Sequence, residues 1–214
     1  MVEITKKYKI GTRRFGLVNW YGTWTLYVKE VLRFLNVWAQ TLFSPLISSL
    51  LFLLVLSLAI GTERGEVLGV SFITFLAPGL IAMQIIQQAF SHSSSSLMIK
   101  KIDGTIVDLL FAPLSASEAT IAISLAAVTR SVLLAIISII TFTIIIDIQI
   151  QNYLTLISFT FLSSFILGNI GIIAGLWAEK FDNMATVTNF IIVPLSFLSG
   201  TFYSIDRLPG FLQT

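Results

Sequence analysis

Long apolar runs separated by brief clusters of charge set the pattern of this chain. Charge-free stretches cover 34–62, 67–99, 148–178 and 183–205, and a fifth, 119–146, contains one charge, Arg130. Each exceeds the roughly 20 residues that cross about 30 Å of hydrocarbon at about 1.5 Å per helical residue. The pattern predicts five transmembrane helices, over about 37–60, 70–97, 118–146, 153–178 and 185–205. Helices are required because lipid cannot satisfy open backbone groups. A barrel would alternate in short segments, whereas runs such as Leu46–Ile60 are mainly apolar throughout.

Ahead of the first span the period changes. Trp20, Trp24, Val28, Val31, Leu35 and Trp38 recur at three and four residues, and Lys29, Arg33, Asn36 and Gln40 fall on the opposite face. Such a helix lies in the interface plane, with Trp20, Tyr21, Trp24 and Tyr27 at headgroup depth. Residues 1–36 thus form a basic arm and an amphipathic interface helix, and 37–214 the transmembrane domain.

Composition agrees: 56% of residues are hydrophobic and 11% charged, with a mean hydropathy of +0.91. Lys and Arg then orient the chain. With the N-terminus inside, ten basic residues face the cytoplasm (Lys6, Lys7, Lys9, Arg13, Arg14, Lys29, Arg33, Lys100, Lys101 and Lys180) and two, Arg64 and Arg207, face out. The net charge of +2 sits on the side of anionic headgroups and calls for no nucleic acid. No cleavable signal is expected, because the first sixteen residues are polar and basic.

Inside the spans, Pro45 predicts a kink in the first, and Gly171-Ile-Ile-Ala-Gly175 predicts a close helix approach in the fourth. The second span turns polar along Gln84, Gln87, Gln88, Ser91, His92 and Ser93–Ser96, so this half should face other helices, a wet cavity or the cytoplasm. His92 is the one histidine and cysteine is absent, which leaves no metal cluster and no thiolate site. Arg130 either snorkels to the inner headgroups or faces a transport path. The candidate path residues are Gln84, Gln87, Arg130, Ser164, Asn169 and Asn189. A membrane enzyme would need an acid–base pair or a nucleophile that this set does not offer, and a secondary transporter or channel, the alternative reading, would place ionisable relays in the bilayer.

Between the second and third spans, residues 100–116 read KKIDGTIVDLLFAPLSA. Ile106, Val107, Leu109, Leu110 and Phe111 suit one or two helical turns that end at Pro113, and Ser115-Ala-Ser117-Glu118 reads as the cap of the next helix. A loop joining two spans needs only polar residues. An apolar face on such a loop wants a partner.

Several stretches resemble the membrane subunit of bacterial ABC-2 type transporters, a group that includes drug, antibiotic and polysaccharide or lipo-oligosaccharide exporters. They are Arg33-Phe-Leu-Asn-Val-Trp-Ala-Gln-Thr-Leu, Phe75-Leu-Ala-Pro-Gly-Leu80, Asp103-Gly-Thr-Ile-Val-Asp-Leu-Leu-Phe-Ala-Pro113, Phe181-Asp182, and Pro194-Leu-Ser-Phe-Leu-Ser-Gly-Thr-Phe-Tyr203 with Leu208-Pro-Gly210. The resemblance implies an all-α polytopic permease of the bacterial inner membrane that pairs with a second copy. Asp103, Gly104, Thr105, Ile106, Leu109, Leu110, Phe111 and Pro113 would form the coupling loop that docks on an ABC ATP-binding subunit. Asp206–Gln213 would begin re-entrant outer helices, and the family's sixth span would follow in a longer chain. ATP and Mg would sit on the partner, since no G-x-x-x-x-G-K-[ST] phosphate loop occurs in this chain and no cofactor is expected on it.

Overall fold

The computed structural model describes residues 16, 18–60, 69–146, 150 and 152–198. Most of the basic arm, nearly all of the loop 61–69, and the proposed re-entrant segment Asp206–Gln213 lie outside the described residues.

Every assigned element is helical. Helix α1 is Trp20–Leu35, followed by a π-helical turn Ala39–Phe43 that leads into α2, Ser44–Ile60. Then come α3, Phe72–Ile102, the short α4, Ile106–Phe111, and α5, Ala116–Ile146. Helix α6 is Tyr153–Trp177, and α7, Phe181–Val187, continues through a second π-helical turn, Thr188–Ile192, into α8, Val193–Leu198.

Among the described residues four helical segments are long and apolar enough to cross a membrane: Ala39–Ala59, Phe72–Ile102, Ala116–Ile146 and Tyr153–Trp177. They match the first four expected spans. Of the fifth, expected over about 185–205, the structure describes a helical course to Leu198. Helices α3 and α5 have 31 residues each, about 46 Å long at about 1.5 Å per residue, so each exceeds the roughly 30 Å hydrocarbon thickness.

Two of the prolines explain the two π turns. A proline ring crowds the carbonyl four residues earlier, and a wider turn relieves that contact. For Pro45 that residue is Thr41 and for Pro194 it is Phe190, each inside a π turn. The expected distortion near Pro45 is therefore a local widening of the helix. Pro78, in contrast, is carried within the continuous α3.

Helix α3 is the centre of the molecule. Its residues join three buried clusters: Leu76 and Leu80 with Leu53 of α2 and Phe142 of α5; Phe90 and Met98 with Ala174 of α6 and Met184 of α7; and Leu97 with Leu26 of α1, Ala122 and Ile123 of α5 and Ile172 of α6. The glycines of α6 set the closest of these approaches. A Cβ on Gly171 would stand 2.5 Å from the Phe90 carbonyl oxygen, and one on Gly175 would stand 2.9 Å from that of Ser94. The glycine spacing thus serves α3–α6 packing. On the outer faces Leu54, Leu58, Ile144, Leu154 and Ile173 are exposed, as a lipid-facing surface requires.

Candidate functional site

The sequence expected to form a coupling loop folds as its residue types direct. Helix α3 ends at Asp103, and Gly104 follows at φ +73°, the left-handed conformation that glycine adopts without strain when a helix must stop sharply. Six residues then form α4, which Ala112 and Pro113 terminate. Its two faces differ. Ile106 and Leu109 pack on the cluster of Leu26, Leu97, Ala122 and Ile123, whereas Val107, Leu110 and Phe111 project outward, the last two 75% and 84% exposed. The five apolar residues of α4 therefore divide into an anchoring pair and an outward three.

A polar joint fixes this element to its neighbours. Asn19 caps α1 by accepting a hydrogen bond from the Gly22 amide at 3.0 Å, and its side-chain amide donates to the Pro113 carbonyl at 3.1 Å. Glu118 accepts from the Ser115 amide at 2.7 Å and from the Asn19 amide at 2.6 Å, while its own amide donates to Ser115 Oγ at 3.4 Å. The expected cap of α5 is thus a capping box whose carboxylate also holds the start of α1. The starts of α1 and α5 and the end of the α4 segment share one set of hydrogen bonds.

About three turns along α1 from that joint lies an ionic cluster built on Glu30, which is 1% exposed. Lys100 of α3 donates to Glu30 Oε1, Ser96 donates to Oε2 at 2.8 Å, and Arg33 Nε donates to Oε2 at 3.0 Å. Arg33 also donates to the His92 carbonyl at 3.0 Å, and the His92 ring, wholly buried, stands edge-on to Phe34 with its Nε2 3.8 Å from Glu30. Burial alone would raise the Glu30 carboxyl, but the charges of Lys100 and Arg33 and the bonds from Lys100 and Ser96 outweigh it and hold the pKa at about 2. Beside this, Lys101 donates to the carbonyls of Leu176 and Ala178, satisfying backbone acceptors left open where α6 ends. The basic pair that closes α3 thereby ties it to α1 on one side and to α6 on the other.

Above the cluster a cavity of about 670 Å³ opens between the α1–α2 segment and α3, with Arg130 of α5 and Phe197 of α8 on its wall. Gln84, Gln87 and Arg130 of the expected path residues line it; Ser164, Asn169 and Asn189 do not. Ser164 is fully buried on α6, Asn169 donates to the Phe165 carbonyl at 2.7 Å within its own helix, and Asn189 is exposed in the second π turn. Gln84 donates to the Pro45 carbonyl at 3.2 Å and accepts from Ser138, while Gln87 donates to Ser196 at 2.8 Å, so the polar half of α3 bridges α2, α5 and α8. Arg130 donates to Gln88 Oε1.

The pattern of apolar positions alone missed Glu30 and Asn19. Glu30 falls at four-residue spacing between Leu26 and Phe34 on the one face of α1 that is buried, whereas Trp20, Tyr21 and Trp24 point outward. An acid between two apolar residues at that spacing, with a Lys pair ending a polar span, was the available signal. Among the described residues no group of His, Cys, Asp or Glu could hold a metal ion.

The structure is thus a bundle of membrane-length helices beside a polar cavity, with a short helix at one end whose outer face is apolar and exposed. The family model for the ABC-2 type transporter matches residues 21–214, and the chain belongs to that family. It is 29% identical over 194 residues to the inner membrane transport permease YadH of Escherichia coli K12, an alignment covering 91% of this chain and 76% of that protein. The permeases of the same name from Escherichia coli O157:H7 and Shigella flexneri are similar to the same extent. No solved structure matches the chain.

Proposed function

We propose that the chain is the permease subunit of an ATP-driven exporter of the inner membrane, oriented with its N-terminus in the cytoplasm and working as a dimer with a second copy. A separate ATP-binding subunit carries the nucleotide and Mg and docks on α4. The outward face of α4 carries this reading. Val107, Leu110 and Phe111 expose apolar surface on a helix that is itself anchored through Ile106 and Leu109 to α1, α3 and α5. Exposed apolar side chains held on a rigid mount are what a docking partner can grip and move.

In this scheme, closure of the ATP-binding pair displaces α4, and the Asn19–Glu118 joint and the Glu30 cluster carry the displacement into α1, α3 and α5 as near-rigid bodies. The motor shifts the permease only if its ATP-bound and free states bind the two permease states with different free energies. That the relatives are inner membrane transport permeases supports the location and the transport role.

Co-purification in mild detergent with an ATP-binding subunit expressed from the same locus tests this reading. Wild type should retain that subunit and stimulate its ATP hydrolysis, and Leu110→Asp should lose both while still inserting in the membrane, because it places a charge on the docking face and none in a span. Equal retention by the variant would remove α4 from the contact. No retention by wild type would favour a secondary transporter or channel instead.

A further inference from the structure

The cavity beside α3 has an unbalanced wall. Arg130 is 7% exposed, makes a hydrogen bond to Gln88, and leaves its Nε without a partner. Among the described residues no carboxylate pairs with it, and none that lines the cavity is acidic. A snorkelling arginine keeps its head group in water or among lipid headgroups. Arg130 is instead buried, and it lines the cavity.

We propose that the cavity binds an oxyanion, a phosphate or sulfate group on a hydroxyl-bearing amphiphile, with the Arg130 guanidinium as its anchor. A planar fork of N–H donors matches the paired oxygens of such a group, and a contact of that kind is charge-assisted. Neutral polar side chains, among them Gln40, Ser48, Gln87 and Ser91, supply donors and acceptors for hydroxyls without adding charge, and Phe34 and Phe52 supply an apolar side. Arg33, on the same wall, shares the single carboxylate of Glu30 with Lys100, so part of its charge adds to the positive field that an anion in the cavity would meet. A volume of about 670 Å³ suits a headgroup or a small metabolite.

The inference deepens the permease reading and rests on it only for treating this ligand as cargo. Its test therefore uses the permease alone, purified in neutral detergent. A negative result leaves association with an ATP-binding subunit untouched, and lost association leaves binding untouched. Calorimetric titration with short-chain phosphatidylglycerol and, separately, with glycerol 3-phosphate supplies the anion from a lipid or from a soluble molecule; short-chain diacylglycerol and glycerol, which lack the phosphate, are the controls. At least one anionic probe should bind more tightly than its control, and Arg130→Gln should weaken that binding about tenfold or more. Binding of phosphatidylglycerol alone assigns the anion to a lipid, and binding of both probes admits soluble cargo; either supports the site. Arg130→Lys keeps the charge and loses the fork, so it should bind more weakly than wild type and carries the test if Arg130→Gln does not fold. The proposal is overturned if neither anionic probe exceeds its control, or if either folded variant binds as wild type does.

Discussion

Arg33 and Arg130 line the same cavity in opposite electrostatic settings. Arg33 reaches Glu30 at 3.0 Å and the His92 carbonyl at 3.0 Å, so its charge closes a network that also contains Lys100 and Ser96. Arg130 has an amide for a partner and a free Nε. The first arrangement is a clamp in which two cations are held by one buried carboxylate, and the second, with no carboxylate, leaves capacity for something that is not part of the chain. Both guanidiniums are equally basic residues in the sequence; what separates them is whether a carboxylate stands within reach.

The largest effect should come from breaking the clamp. Glu30→Gln removes the negative charge and leaves Lys100 and Arg33 facing each other near a buried site, and losing one partner of a buried ion pair costs about 3–5 kcal/mol. Unfolding in mixed micelles should show that loss, together with easier proteolysis within α1. The double variant Glu30→Met with Lys100→Met should recover at least about half of it, because it removes both charges while Arg33, less buried, can turn to water. A double variant no better than the single would mean that Glu30 acts through packing and not through its charge.

The same experiment on Arg130 should give a smaller result of opposite sign. Removing a buried charge that has no ionic partner relieves its desolvation, so Arg130→Gln should be as stable as wild type or more stable by about 1 kcal/mol. A variant destabilised as strongly as Glu30→Gln would erase the contrast between the two arginines and would make Arg130 a structural residue.

Legibility in the sequence followed the same division. The first four membrane-length helices, the helical course of α1 and the short α4 were readable because apolar runs and caps are local signals: Ser115 and Glu118 lie three apart, and Gly104 and Pro113 bracket α4. The glycine pattern foretold a close approach but not its partner, which is α3, because the register between Gly171 and Phe90 is set by three-dimensional packing. The Glu30 cluster was illegible for a similar reason. Its members lie up to 70 residues apart, and an acid on an amphipathic helix looks solvated until the neighbouring helix is in place. Of the six path residues, the three on α3 and α5 that line the cavity come from the polar half of α3 and its contact with α5, whereas Ser164, Asn169 and Asn189 were chosen by residue type alone.

The finest test of the clamp is its dependence on pH. Glu30 belongs to α1, outside the membrane-spanning helices, and its carboxyl is held at about 2 against an ordinary 4.5. A depressed carboxylate contributes stability that is fully present above the unfolded value and is lost as pH falls through the folded one, so the affected window runs from about 4.5 down to about 2. Between neutrality and about pH 5 the clamp should contribute no slope, and by about pH 3.5 wild type should have lost about 1 kcal/mol to this group. Glu30→Gln has no carboxyl to titrate, so its own acid profile supplies the baseline for every other group in the chain. Wild-type and variant profiles should converge as the pH is lowered through that window. If they stay parallel, Lys100 and Arg33 do not hold the carboxylate, and the distinction between a satisfied and an unsatisfied arginine loses its electrostatic basis.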